Sequence, residues 1–233
     1  GIRVVVLYPA GRVSPFQEAQ MATLGGNITA VRVPGVFDDC QRLAKAAFRD
    51  PALAGLGLSS ANSINIGRLL PQAFYYVWAY LAVTRALHER VTFVVPSGNL
   101  GNLTAGLLAA RTVIPAARFV AACNANDVLP EFLDTSAYRA RPSIQTLSNA
   151  MDVGDPSNFA RLLAVCGDAD GVRAMVAGER VSDVETRSAI RHAWERCRTV
   201  LDPHAAVAYE AARRRQAQGD TGPLIVLATA HAA

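Results

Sequence analysis

Apolar and polar positions along this chain switch between two periods, and each switch marks an element. Ile2-Arg3-Val4-Val5-Val6-Leu7-Tyr8 is a β-branched run of strand length. Ser14-Pro15 follows as an N-cap with proline at the first helical position, and Gly25-Gly26 closes a short helix. Asn27 to Val33 predicts a second strand. From Asp38 to Phe48, apolar and small residues at 40, 43, 44, 47 and 48 make one helical stripe, broken by Pro51 and the glycines at 55 and 57. Strand, helix, strand, helix is the pattern of a parallel α/β fold.

The pattern continues with a long helical run over residues 65–89, carrying Phe74, Tyr75, Tyr76, Trp78 and Tyr80. Pro71 within it predicts a kink or the true start of the helix, because proline lacks a backbone donor. Val91 to Val95 reads as a buried strand leading into Pro96-Ser97-Gly98-Asn99-Leu100-Gly101-Asn102 and a helix from Leu103 to Arg111. Another strand is expected at Arg118 to Ala122, helices over 158–166, 182–199 and 204–217, and a final strand from Leu224 to Thr229. Residues 135–158, dense in Ser, Asn, Asp, Pro and Arg, lack periodicity and read as an ordered loop or lid.

With 233 residues, 51% hydrophobic and 18% charged, the chain can bury one large core or two modest ones, which excludes a disordered tail. No apolar run approaches the ~20 residues of a membrane span. The cysteines at 40, 123, 166 and 197 have no CxxC spacing, so no disulfide framework or zinc site is indicated. Inert thiols in a reducing, cytoplasmic setting are expected. No histidine pair has metal-ligand spacing. His88 and His192 are expected at the surface, and His204 as a packing or capping residue. The net charge of +4 rests on 22 Arg and a single lysine, Lys45. Its one dense cluster, Arg213 to Arg215, reads as a solvated helix face rather than a nucleic-acid patch.

The segment that carries chemistry is Ser97 to Asn102, set between a buried strand and a helix. Its glycines let successive N–H groups turn inward, and the following helix adds partial positive charge, which together suit an oxyanion such as a phosphate. Ser97, Asn99 and Asn102 can add side-chain donors. A strand-to-helix turn without a ligand is the plainer alternative. The missing lysine of a P-loop and the lone GxxG give no support for a nucleoside triphosphate or a dinucleotide.

Five separate runs, in order, carry a resemblance. They are Ser59-Ser60-Ala61-Asn62-Ser63-Ile64-Asn65-Ile66-Gly67-Arg68-Leu69-Leu70, Pro96 to Asn102, Thr146-Leu147-Ser148-Asn149-Ala150-Met151-Asp152-Val153-Gly154, Pro203-His204-Ala205-Ala206-Val207-Ala208-Tyr209, and Thr229-Ala230-His231. Together they resemble the threonine synthases over nearly the whole chain. That resemblance implies a pyridoxal 5'-phosphate enzyme of the tryptophan-synthase-β-like fold, with two three-layer α/β domains and largely parallel sheets. Residues 1–58 would belong to the smaller domain and 59–233 to the larger. The implied reaction converts O-phosphohomoserine and water into threonine and phosphate.

The same resemblance assigns the cofactor phosphate to Ser97, Gly98, Asn99, Leu100, Gly101 and Asn102, with Leu100 where the family carries Phe. Thr229 would meet the cofactor's pyridine nitrogen, and His231 would shape the site. Asn62, Ser63, Asn65 and Arg68 would bind the substrate; the alternative is that Asn62 or Ser63 merely caps the helix while Arg68 reaches solvent. The 146–154 run would be lid or hinge, with Asp152 as a turn former. The Schiff-base lysine of the family, in an Ala-Phe-Lys-Asp segment, has no counterpart here, and Lys45 matches an ordinary surface position. The chain therefore reads as truncated at both ends and inactive alone. An O-phosphohomoserine phospholyase and a non-catalytic phosphate-binding module are the rival readings; monomer and homodimer both stay open.

Overall fold

A computed structural model describes residues 1–86, 89–114 and 117–230, and it divides into two units, Gly1–Ser60 and Ala61–Ala233. In the first, β1 (Val4–Pro9) and β2 (Ile28–Val33) pair in parallel, with Val4 opposite Ile28. Parallel neighbours need a crossover, which α1 (Pro15–Ala22) provides. Ser14 Oγ accepts from the Gln17 N–H and Gln17 Oε1 accepts from the Ser14 N–H, each at 3.1 Å, so a reciprocal cap precedes Pro15. The next helix, α2 (Phe37–Arg49), packs against β1. Its first turn is held by Asp39, which accepts the Val36 N–H at 2.9 Å. Lys45, expected on the open surface, is half-buried on this helix. A lysine stem covers apolar surface while its ammonium stays wet.

The second unit is built on a parallel sheet in the order β5-β4-β3-β6, comprising β3 (Val91–Pro96), β4 (Ala117–Cys123), β5 (Val176–Arg180) and β6 (Leu224–Val226). Successive strand residues point to opposite faces. Phe93, Val95, Phe119 and Ala121 enter a core shared with α3 (Leu69–Val83), α4 (Gly101–Thr112), α5 (Val128–Thr135), α6 (Phe159–Cys166) and α7 (Ala169–Met175). Val94, Val120 and Ala122 enter a second core with Val207, Ala208, Ala211 and Ala212 of α9 (Pro203–Ala217). On the outside of that layer, α8 (Asp183–Cys197) packs on α9. The unit is thus helix, sheet, helix in three layers, the α/β architecture expected of it.

Several elements depart from the sequence reading. The long helix begins at Leu69, after a 3-10 turn at Ile66–Arg68, and stops at Val83. Pro71 falls in its first turn, where no intrahelical N–H is required. Its aromatic residues divide: Tyr76 and Tyr80 are buried, whereas Phe74 and Trp78 are exposed. The last strand ends at Val226, with one further bond from the Leu227 N–H to Val94 O at 3.0 Å. Three elements, α5, α7 and β5, had no signal. The first two are short and interrupted by Pro130 and Gly171. β5 holds Gly178, where a Cβ would lie 2.9 Å from Pro130 Cα, so close helix packing replaced the apolar alternation that marks a strand.

Among the thiols, Cys40, Cys123 and Cys166 are buried, and burial pushes Cys123 up to about 12; Cys197 is exposed, against expectation, because it ends α8 on the outer layer. Nor do the arginines of α9 form a freely solvated face. Arg213 pairs with Glu210 at 2.7 Å and Arg214 with Glu185 of α8 at 2.5 Å, because packing of α8 on α9 brings acids to them. Among the described residues no helix is long and apolar enough to cross a membrane, and none of their His, Cys, Asp and Glu side chains form a metal-holding group.

Candidate oxyanion site at the strand ends

The segment 97–102 turns from the end of β3 into the start of α4. Ser97 is spent on the strand: its N–H donates to Ala122 O and its hydroxyl to Val95 O, both at 2.8 Å. Leu100 takes a left-handed backbone, φ 61°, and buries its side chain. Beyond it, α4 begins, and its first N–H groups have no intrahelical acceptor. Among the described residues, the backbone N–H groups from Gly98 through Leu103 meet no acceptor at all. Such a run, at the positive end of a helix, fits a group with several acceptor oxygens and two negative charges, as a phosphate has.

Both glycines are needed for close approach. A Cβ on Gly98 would sit 2.6 Å from Met151 Cα, and one on Gly101 2.9 Å from Ser63 Cβ. The side chains of the segment are committed to the protein itself. Asn99 donates to Ser63 Oγ at 2.7 Å and accepts from the Ser157 N–H and hydroxyl at 2.7 and 2.8 Å. Asn102 accepts from the Tyr76 hydroxyl through Oδ1. Burial pushes the neighbouring Tyr75 phenol up to about 12, a hydrogen bond to Asn102 pulling the other way, so both tyrosines stay neutral donors. The donors left over for a ligand are therefore backbone amides. The side-chain help expected from Ser97 and Asn99 goes into building the turn instead.

The other expected site residues gather around this turn to different degrees. Ser63 touches it directly, and its hydroxyl donates to Asn62 Oδ1 at 3.1 Å. Asn65 accepts the Gly67 N–H at 2.9 Å and so caps the 3-10 turn, while the exposed Arg68 reaches back to Ala61 O. Thr229 is exposed, three residues past β6. The parallel register aligns Val94 with Val226, so the segment that leads to Thr229 leaves the sheet at the same end as the turn at 97–102. His231 and His88 lie outside the described residues.

The 146–154 run, expected as lid or hinge, is tied to residues that sequence reasoning did not single out. Asn124 and Asn126, just past β4, bind the 144–152 loop: Asn124 Nδ2 donates to Thr146 Oγ1 at 2.7 Å and to Asp152 Oδ1 at 3.0 Å, and Asn126 Nδ2 donates to Ile144 O at 2.8 Å. Asp152 also accepts the Thr146 N–H and hydroxyl at 2.9 and 2.7 Å, so it is the hub of a polar network and not only a turn former. Burial raises its carboxyl above the usual range, with those donors opposing. His204 accepts the Ala150 N–H through Nε2 at 3.2 Å and holds Asp202 through Nδ1 at 2.7 Å, which fixes the imidazole tautomer. A loop so anchored is a fixed wall bearing Met151 against Gly98. The sequence signals were its polar composition and the run from Thr146 to Gly154; neither pointed to Asn124 or Asn126.

Comparison with known proteins places these features in a family. The family model described as "Pyridoxal-phosphate dependent enzyme" matches residues 1–229. A threonine synthase of Serratia marcescens is 44% identical over 233 residues, covering 100% of this chain and 54% of its own length. The crystal structure of the Escherichia coli threonine synthase superposes with a TM-score of 0.91 at 42% identity, over 98% of this chain and 53% of that one. A threonine synthase from Brucella melitensis, solved with PLP bound, gives a TM-score of 0.84 at 36% identity, over 99% and 55%. The chain spans about half the length of the curated relatives it matches.

Proposed function

The chain belongs to the pyridoxal-phosphate dependent enzymes, and from that premise we propose that it serves in a threonine synthase, which turns O-phosphohomoserine and water into L-threonine and phosphate. The observation that carries the reading is the run of N–H groups from Gly98 to Leu103 without acceptors, at the N-terminus of α4 and at the strand ends of a chain 44% identical to threonine synthases. When bound, pyridoxal phosphate supplies an electron sink for carbanions at the substrate's Cα and Cβ.

The residues of this chain have positional tasks in that reaction. Backbone amides of Gly98, Asn99, Leu100, Gly101 and Asn102, with Ser97 fixing the turn, hold the cofactor phosphate by fixed dipoles that need no reorganisation. Thr229, past the end of β6 at the same end of the sheet, presents a hydroxyl to the pyridine nitrogen; a neutral hydroxyl tunes the ring by hydrogen bonding without enforcing its protonation. Asn62, Ser63, Asn65 and Arg68 receive the substrate's phosphate, with Arg68 as the charged donor. The 146–154 wall limits solvent access next to Gly98. Lys45, half-buried in the other unit, is read as structural; the amine that carries protons in this chemistry is not assigned to it.

A phospholyase would use the same site and release 2-oxobutyrate. It is the less favoured reading, as is a non-catalytic module, since the relatives at 42–44% identity are threonine synthases. The deciding experiment supplies the full-length natural polypeptide with pyridoxal phosphate and O-phosphohomoserine and follows both products. Equal release of threonine and phosphate is expected. Phosphate with 2-oxobutyrate replaces the reading by a phospholyase, and no turnover with retained phosphate binding replaces it by a binding module.

A further inference from the structure

Arg161, on α6, was singled out by no motif, yet its guanidinium closes a ring of hydrogen bonds between the two proposed phosphate-binding segments. Nη1 donates to Ser63 O at 3.0 Å and to Asn158 Oδ1 at 2.7 Å, and Nη2 donates to Ile64 O at 2.5 Å. Asn158, fully buried, passes the link on: its Nδ2 donates to Asn99 O at 2.9 Å. Asn99 Nδ2 then returns to Ser63 Oγ at 2.7 Å. Five residues from three segments are thereby locked to one another. The planar fork is what permits this, since a single ammonium cannot reach two successive carbonyls and an amide oxygen in fixed directions. Among the described residues no carboxylate pairs with Arg161, so its charge stays uncompensated beside the site.

We propose that Arg161 is a positioning residue: it holds segment 62–65 against the start of α4, so that the substrate's phosphate and the cofactor's phosphate are gripped in one register. This rests on the threonine synthase reading. Loss of the fork frees the Ser63 and Ile64 carbonyls, leaves the buried Asn158 oxygen unpaired, and loosens Asn99 and Ser63 together. Substrate capture suffers most, because segment 62–65 loses both of its carbonyl anchors, at Ser63 and Ile64, and cofactor affinity follows through Asn158 and Asn99.

The test compares Arg161→Met and Arg161→Lys with wild type in the full-length protein, reading KM and kcat for O-phosphohomoserine, the dissociation constant for pyridoxal phosphate by fluorescence titration, and thermal unfolding. Arg161→Met is expected to raise KM about tenfold with a smaller change in kcat, and to weaken cofactor binding severalfold. Arg161→Lys, which keeps the charge but loses the fork, is expected to recover cofactor binding more fully than KM. A KM for Arg161→Met within about twofold of wild type overturns the proposal. Should Arg161→Met not fold, a wild-type KM in Arg161→Lys overturns it. If wild type makes no threonine, the functional reading falls, and the titration still judges the ring: unchanged cofactor affinity in Arg161→Met overturns it.

Discussion

Asp152 accepts from four donors: the Thr146 N–H and hydroxyl and the side-chain amides of Asn124 and Asn126 all point at its carboxylate. Its neighbour Met151 packs on Gly98, so this carboxylate holds the loop against the turn at 97–102. Substitution by asparagine keeps shape and removes charge, but it turns one amide nitrogen against donors. Asp152→Asn is therefore expected to destabilise the protein by about 1–3 kcal/mol despite relieving a half-buried charge, because donors left without acceptors cost more than the desolvation recovered. Denaturant unfolding measures it, and an unchanged midpoint would mean that the network contributes nothing net. Neither Asp152's role nor Arg161's was legible in the sequence. Both depend on partners far along the chain, and only the turn-forming habit of Asp and the polarity of the segment are local properties.

The start of α8 shows the opposite case, an element whose boundary is written in its own residues. Ser182 caps the helix by accepting the Glu185 N–H at 3.4 Å, while Glu185 accepts the Ser182 N–H and hydroxyl at 2.8 and 2.7 Å. Those bonds, with help from Arg214, hold the Glu185 carboxyl below its usual value. A folded-state value below the unfolded one means stability that is present above the ordinary glutamate range and lost as pH falls through the lowered value. Ser182→Ala should cost about 1 kcal/mol at neutral pH. The difference from wild type should shrink as pH falls past the ordinary glutamate range and through the lowered value, where the carboxylate becomes protonated in both. Urea titrations at neutral pH and below the lowered value decide, and equal differences would detach the cap from Glu185. Short elements with proline or glycine, α5, α7 and β5, were invisible for the converse reason: tertiary contact, not local propensity, holds them.

At the scale of the molecule, large apolar side chains remain on the surface of both units. On α3, Leu70, Phe74, Trp78 and Leu81 recur at helical spacing and are 57–73% exposed, and in the first unit Val5 and Phe16 are 63% and 68% exposed. Contiguous apolar surface of this kind is retained in solution only at the cost of association. The 233-residue chain is expected to bind a hydrophobic dye and to scatter light increasingly with concentration. A dye-negative, monodisperse monomer would show these faces to be tolerated as they stand. The core itself needs no such partner in the second unit, where both faces of the sheet are covered by helices.

The amino-acid sequence by itself determined the alternation of strands and helices, the parallel class of the sheet and the glycine-bearing turn between β3 and α4. Each of these is set by neighbours within a few positions: β-branched runs, a proline after a cap, glycines before a helix. The resemblance to threonine synthases was equally legible, since it lies in uninterrupted runs such as Asn62 to Arg68 and Ser97 to Asn102. Which donors remain for a ligand was decided only in three dimensions. Ser97 and Asn99 look like phosphate ligands in a string of letters, but folding commits their side chains to Val95, Ser63 and Ser157 and leaves the backbone amides as the donors without acceptors. Likewise Arg161 acquires its place only when α6 is packed beside α4, bringing Ser63 and Asn158 within reach of one guanidinium. Hydrogen-bond donors are a finite set, and tertiary contacts spend them before any ligand arrives.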